Sequence, residues 1–211
     1  MATTLGVFGG SFDPVHLGHL HSLWELQMHL PLDQIHFIPC AQSPLKKSPL
    51  VADQHRLAML KLATNHQATW EVDDREIKRQ GVSYTIDTLK SLHQDYPEQN
   101  LCLIMGTDAV IDLPKWHQWE DLFSFAHVIV MTRPEFSLPD TPWINDLQQR
   151  NLKDPSELRT KHAGGIYWQP ITPLSISATQ IRHLCKNQHI PPYLLTSDVF
   201  QYIQQFKLYS E

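Results

Sequence analysis

Cysteine is scarce in this chain. The 211 residues hold three, Cys40, Cys102 and Cys185, too few and too widely spaced for a disulfide framework or a zinc-binding repeat. Such usage implies a reducing cytoplasm. Long apolar runs are missing as well. Stretches such as Val128–Met131 fall far short of the ~18 residues of a spanning helix, so no membrane partner is expected. The opening Met1-Ala2-Thr3-Thr4-Leu5 has neither the basic start nor the apolar stretch of a signal peptide. There is no excess of positive charge. Lys and Arg total 17 against 22 Asp and Glu, a net charge of −5, which speaks against a nucleic-acid partner. Glycine is sparse too, yet four of the eight (Gly6, Gly9, Gly10, Gly18) lie at the start of the chain.

What is present fits a globular protein: 42% hydrophobic and 18% charged residues. The length supports a full core and one domain over 1–211. Leu5-Gly6-Val7-Phe8 reads as a strand that stops at a tight Gly9-Gly10 turn. Apolar residues at Leu17, Leu20, Leu23, Trp24 and Met28 have helical spacing, closed by Pro31. Ile35–Ile38 is a second strand, ended by Pro39. Cys40–Pro49 is a loop, and Asp53 to about Asn65 a helix with Leu57, Leu60 and Ala63 inward. Trp70–Asp73 is a third strand and Tyr84–Asp95 a helix. Leu101–Met105 and His127–Met131 are continuous apolar runs, the pattern of central strands covered on both faces. Proline-rich residues 134–165 read as a surface excursion with one short helix near Ile144–Arg150. Ile166-Tyr167-Trp168 returns to the sheet. Helices near Ser177–Lys186 and Tyr193–Phe206 form a small C-terminal helical part over 177–211. The alternation predicts an α/β, Rossmann-like doubly wound parallel sheet with helices on both faces.

Two segments carry the chemistry. The first is Gly9-Gly10-Ser11-Phe12-Asp13-Pro14-Val15-His16-Leu17-Gly18-His19. A strand, a glycine pair and a helix start let backbone N–H groups and a positive dipole end face an anion. It is neither the dinucleotide fingerprint nor the P-loop. His16 and His19 are three apart, so both imidazoles share a helix face and reach whatever the turn holds. Each is a donor that is charged near pH 7 at modest cost. The competing readings are a plain strand-to-helix turn and a zinc site. The latter lacks a third ligand. Gly18 leaves room for a ligand or for close packing.

The second segment is Ile176-Ser177-Ala178-Thr179-Gln180-Ile181-Arg182. Ser177 and Gln180 form a capping box that marks a helix N-terminus. Arg182 adds a permanent charge with a bidentate fork. Alone, this is an ordinary capped surface helix. With the first segment, it suggests a polyphosphate clamped from two sides.

These two segments resemble the signatures of the nucleotidyltransferase superfamily with an H-x-G-H motif and an I-S-S-T-x-x-R-like motif. Ser83-Tyr84-Thr85, Gly106-Thr107-Asp108, Pro114-Lys115-Trp116 and Ala126-His127 with Arg133-Pro134 narrow the resemblance to bacterial nicotinate-nucleotide adenylyltransferases. It runs from about residue 5 to 207. It implies that ATP and nicotinate mononucleotide give nicotinate adenine dinucleotide and pyrophosphate, a step in making NAD. The mononucleotide phosphate attacks the α-phosphate directly, with Mg²⁺ bound mainly through the ATP phosphates. Alternatives are a sister transferase acting on nicotinamide mononucleotide or phosphopantetheine, and a non-catalytic nucleotide-binding module. The family varies in assembly, so a monomer or homodimer is expected.

The resemblance also implies roles. His16, His19 and Arg182 would be catalytic, stabilising charge on the ATP phosphates. Gly9, Gly10, Ser11, Phe12, Lys46, Gly106, Asp108, Ile176, Ser177 and Thr179 would complete the ATP site. Ser11, Tyr84, Thr85, Trp116, His117 and Arg133 would bind the mononucleotide, with Trp116 stacked on the pyridine ring and Thr85 reading its carboxylate. Against these stand simpler roles: Trp116 and Trp119 as core, Thr85 and Asp108 as helix caps, and Lys46 and Lys47 as a solvated pair. Two positions depart from the family. Leu45 stands where a histidine is common, and His117 where an aromatic tyrosine is often found.

Overall fold

The apolar runs read as central strands are buried as expected: Leu5, Val7, Leu101, Leu103, Val128, Ile129 and Val130 are almost solvent-free. The computed structural model describes residues 2–45, 48–133, 141–189 and 191–210. Its six strands are β1 (Thr3–Gly10), β2 (Gln34–Pro39), β3 (Trp70–Val72), β4 (Gln99–Gly106), β5 (Ala126–Thr132) and β6 (Ile166–Pro170). Between them come α1 (Leu17–His29), α2 (Asp53–Thr64), α3 (Arg75–Arg79), α4 (Thr85–Asp95), α5 (Thr107–Ile111) and α6 (Leu122–Phe125). Helices α7 (Pro142–Gln149), α8 (Glu157–Thr160), α9 (Ala178–Lys186) and α10 (Ser197–Gln205) follow.

The strands form one sheet in the order β3-β2-β1-β4-β5-β6. Strand β1 runs parallel to β4, β4 to β5 and β5 to β6, with Val7 opposite Leu103 and Leu103 opposite Val128. This is the α/β doubly wound fold that the sequence predicts. The winding direction reverses between β1 and β4. The loops leaving β1 and β4 carry the predicted Gly9–His19 and Gly106–Asp108 segments.

The chain divides into two compact units. The first comprises Met1–Gly9, Glu25–His36 and Tyr84–Thr172, and its core is the β4–β6 region. Within it His127, expected only as part of a motif, is a fully buried structural residue. Its Nδ1 accepts the Gly165 N–H at 3.1 Å and its Nε2 lies 2.9 Å from the Lys161 carbonyl. An accepting Nδ1 leaves the ring proton on Nε2, facing the Lys161 carbonyl, and burial lowers the pKa of the ring. The second unit comprises Gly10–Trp24, Phe37–Ser83 and Pro173–Glu211, packed around Phe12, Phe37, Leu60, Ile181 and Ile203.

Four expectations need correction. Residues 134–165 were expected as a surface excursion with one helix. The described part, 141–165, holds two helices, α7 and α8, and buries Ile144, Leu147, Leu152 and Leu158. These apolar residues sit among prolines and break any long period, which hides them. The final helix starts at Ser197, not Tyr193, because Thr196 caps it by accepting the Val199 N–H. Leu57 is only half-buried; Arg56, Met59, Leu60 and Ala63 make the inward face of α2. Gly9 and Gly10 belong to β1 and have no positive φ; the left-handed residue of the turn is Phe12, with φ 46°. A Cβ on Gly10 would lie 3.1 Å from the Phe12 ring, so this glycine makes room for an aromatic.

Candidate functional site

The second unit brings the two predicted end segments together. Arg182, in the second turn of α9, reaches back to the loop after β1. Its Nη1 donates to the Asp13 carbonyl at 2.6 Å and its Nη2 to Thr179 Oγ1 at 3.2 Å. Ser177 caps α9 as the capping box predicts: its Oγ accepts the Gln180 N–H at 3.2 Å. Ile176 packs against Gly18, where an added Cβ would lie 3.5 Å from that of Ile176. The same Cβ would stand 3.0 Å from His16 Nδ1. Gly18 therefore serves close packing of the His16 ring.

His16 and His19 stack, with ring centroids 3.7 Å apart and planes inclined by 24°. The His16 backbone N–H donates to His19 Nδ1 at 3.3 Å. An accepting Nδ1 leaves the proton of the neutral ring on Nε2, the nitrogen that points away from this bond. Phe12 presents an edge to His19 at 5.3 Å. His16 is 6% exposed, and its Nδ1 has no hydrogen-bond partner. Burial lowers its pKa from 6.5 to about 4. His16 is therefore neutral at pH 7, not readily charged as expected; two stacked imidazolium ions would repel.

This shift makes a measurable stability term. The unfolded chain protonates His16 at its ordinary value, the folded chain only near 4. The contribution is complete above 6.5 and is lost as pH falls toward 4, where the unfolded state binds the extra proton. Its full size is about 3 kcal/mol at ~1.4 kcal/mol per pH unit. Denaturant unfolding at pH 7.5 and 4.5 should show wild type losing more stability than His16→Gln by up to that amount. Equal losses in the two proteins would refute it.

The α1 end is less open than the sequence suggests. The Leu17 N–H donates to the Leu194 carbonyl at 3.0 Å and the His19 N–H to the His16 carbonyl at 2.9 Å. The loop before α1 is braced by Arg56, which is wholly buried. Its guanidinium donates to the Ser11 and Cys40 carbonyls and pairs with Asp53 Oδ1, each at 2.6 Å. A planar fork suits this bridge between two chain segments. The clue in the sequence is an arginine at an inward position of α2. Asp13 also went unassigned. It is 3% exposed, accepts the Leu50 N–H at 2.8 Å through Oδ2 and the Tyr209 hydroxyl at 2.9 Å through Oδ1. Nothing local to Asp13 announces a partner 196 residues along the chain.

Of the predicted mononucleotide residues, Tyr84, Thr85, Trp116, His117 and Arg133 lie in the first unit and Ser11 in the second. Tyr84 is the N-cap of α4 and Thr85 its first residue, with no side-chain cap. The Tyr84 ring packs on His117 at 4.5 Å between centroids. Trp116 is half-buried and ends a short 3-10 turn over Leu113–Lys115. Its neighbour Trp119 instead packs edge-on to Trp143. Gly106 ends β4 and caps α5. A Cβ there would meet nothing within 4 Å, and Asp108 is exposed in the first turn. Arg133 is exposed just beyond β5. Leu45 is exposed, and Lys46 and Lys47 lie outside the described residues. Burial pushes the Cys102 thiol up to about 12, so it stays protonated.

The doubly wound sheet carries the two motif segments after β1 and at the N-terminus of α9. Residues 7–184 match the Cytidylyltransferase-like family. A probable nicotinate-nucleotide adenylyltransferase of Methylococcus capsulatus is 38% identical over 98% of this chain and 100% of its own length. One of Coxiella burnetii is 42% identical, with both chains fully covered. The chain belongs to the cytidylyltransferase-like family and, within it, to the nicotinate-nucleotide adenylyltransferases. Its fold is similar to that of the Plasmodium falciparum nicotinic acid mononucleotide adenylyltransferase complexed with NaAD. The TM-score is 0.71 at 20% identity, covering 98% of this chain and 97% of the other.

Proposed function

We propose that this protein transfers the adenylyl group of ATP to nicotinate mononucleotide, giving nicotinate adenine dinucleotide and pyrophosphate in NAD biosynthesis. The observation that carries it is the bond from Arg182 to the Asp13 carbonyl. It sets a guanidinium and a capped helix end beside the loop of His16 and His19, which supports the reading that both hold one triphosphate. Full-length similarity to proteins named as nicotinate-nucleotide adenylyltransferases supports the acceptor.

In this reading an oxygen of the mononucleotide phosphate forms a bond to the α-phosphorus of ATP. The bond from that phosphorus to the bridging oxygen breaks, and its electron pair leaves with pyrophosphate. Such a transfer needs positioning and charge neutralisation, not a protein nucleophile. His19 donates from Nε2 to the phosphate oxygens and the neutral His16 supports it by stacking. Arg182, Ser177 and Thr179 hold the outer phosphates. Ser11 and the backbone near Gly9, Gly10 and Phe12 flank them, and Gly106 and Asp108 border the adenosine. Trp116 stacks on the pyridine ring; Tyr84, Thr85, His117 and Arg133 complete the acceptor side.

Mg²⁺ fits as a passenger of ATP. The residues gathered here are imidazoles, hydroxyls and a guanidinium, and among the described residues no cluster of three or more His, Cys, Asp or Glu is placed to hold a metal. The Asp13 carboxylate already serves Leu50 and Tyr209. The ion would be held by the phosphate oxygens that His19 and Arg182 position, and it would neutralise their charge. Among the described residues no helix is long and apolar enough to cross a membrane, and a cytoplasmic site of action is consistent with this chemistry.

The test is pyrophosphate release from Mg·ATP with nicotinate mononucleotide, nicotinamide mononucleotide or phosphopantetheine. Release is expected with the nicotinate form above all. Faster turnover of either other acceptor would reassign the substrate, and ATP binding without turnover would make this a nucleotide-binding module.

A further inference from the structure

We infer that Tyr209 is a positioning residue for Arg182, acting through the buried Asp13 carboxylate. The inference rests on the reading of Arg182 as a triphosphate ligand. A carboxylate almost sealed from water survives ionised only if both oxygens are satisfied. Asp13 Oδ2 accepts the Leu50 N–H at 2.8 Å and stands 3.9 Å from Arg182 Nη1. Its Oδ1 accepts the Tyr209 hydroxyl at 2.9 Å. The same residue's carbonyl takes the short bond from Arg182. Asp13 thus offers the guanidinium both a carbonyl and a negative charge, and the Tyr209 bond to Oδ1 sets the plane of that carboxylate.

The surroundings show how firmly the hydroxyl is placed. Tyr209 is itself 8% exposed. Burial and the facing Asp13 carboxylate raise its phenol far above the usual range, so it is a permanent O–H donor. Lys207 and Tyr209 have φ of 48° and 62°, conformations that non-glycine residues rarely adopt. Such backbone persists where neighbouring contacts over-determine it. The Leu208 N–H, donating to the Ile203 carbonyl at 3.1 Å, ties this bend to α10.

Without the hydroxyl, Oδ1 is left unpaired in a dry site. The carboxylate is free to turn, and Arg182 loses a charged neighbour held in place. The effect falls on triphosphate binding and leaves the acceptor side alone. In the full-length protein, Tyr209→Phe should raise the KM for ATP about five- to tenfold and leave that for nicotinate mononucleotide within twofold. In the Arg182→Ala background the same substitution should change the KM for ATP by less than twofold, since the residue it positions is gone. A merely structural tyrosine would move both KM values together, or act equally in both backgrounds; either outcome overturns the inference, as does an unchanged KM for ATP. Thermal unfolding is followed in parallel. If Tyr209→Phe melts too low to assay, Asp13→Asn must show the same ATP-selective defect, or the inference fails. Wild-type protein that does not bind ATP would instead defeat the reading of Arg182 itself, and this inference with it.

Discussion

Replacing His19 by alanine is expected to lower turnover by roughly 10²–10³-fold, the usual loss when one preorganised donor to a developing charge is removed. The geometry explains why His19 is the more sensitive of the pair. Its Nδ1 is committed to the His16 backbone N–H, so the ring is held with Nε2 available as donor. The stack on His16 and the edge of Phe12 fix its plane. None of that orientation has to be found during the reaction. His19 is only half-buried, so alanine leaves a solvent-filled gap and not a core cavity. Single-turnover kinetics beside a melting curve check this. A rate within threefold of wild type would remove His19 from the reaction, and a collapsed melting temperature would make the variant uninformative without His19→Asn, which should show the same defect.

Arg182→Ala should cost roughly 10²-fold in kcat/KM for ATP, the range of about 3 kcal/mol for charge-assisted hydrogen bonds. The loss should appear mainly in the KM for ATP. Arg182 uses one nitrogen on the Asp13 carbonyl and another on Thr179 Oγ1, and its partly exposed fork has donors to spare for an anion. Lysine cannot do this, because one ammonium cannot span the Asp13 carbonyl and a phosphate in a fixed plane. Arg182→Lys should therefore recover less than a tenth of the lost activity. Steady-state kinetics with ATP varied at saturating mononucleotide measure it; a lysine variant close to wild type would show that only charge matters.

Much of this could be read along the chain. The runs at Leu101–Met105 and Val128–Val130 are apolar because both faces of their strands are covered, and the structure buries them so. The Ser177–Gln180 capping box is legible because a cap is local, spanning three residues. What misled were features with two physical causes. A glycine pair after a strand suits an anion or an approaching ring, and Gly10 admits Phe12. A histidine titrates near neutrality in water, but His16 is buried and does not.

Local periodicity and caps thus specify the strands, the helices and the two segments that carry the family's signatures, since each is decided by residues within a turn or two of one another. The tertiary structure alone decides which of them meet. Arg182 finds Asp13 across 169 residues, and Tyr209 finds it across 196. Arg56 finds the Ser11 carbonyl across 45 residues and braces the loop before α1. Hydrogen bonds and desolvation depend on distances in space, and those follow from strand order and packing, which no short window of sequence contains.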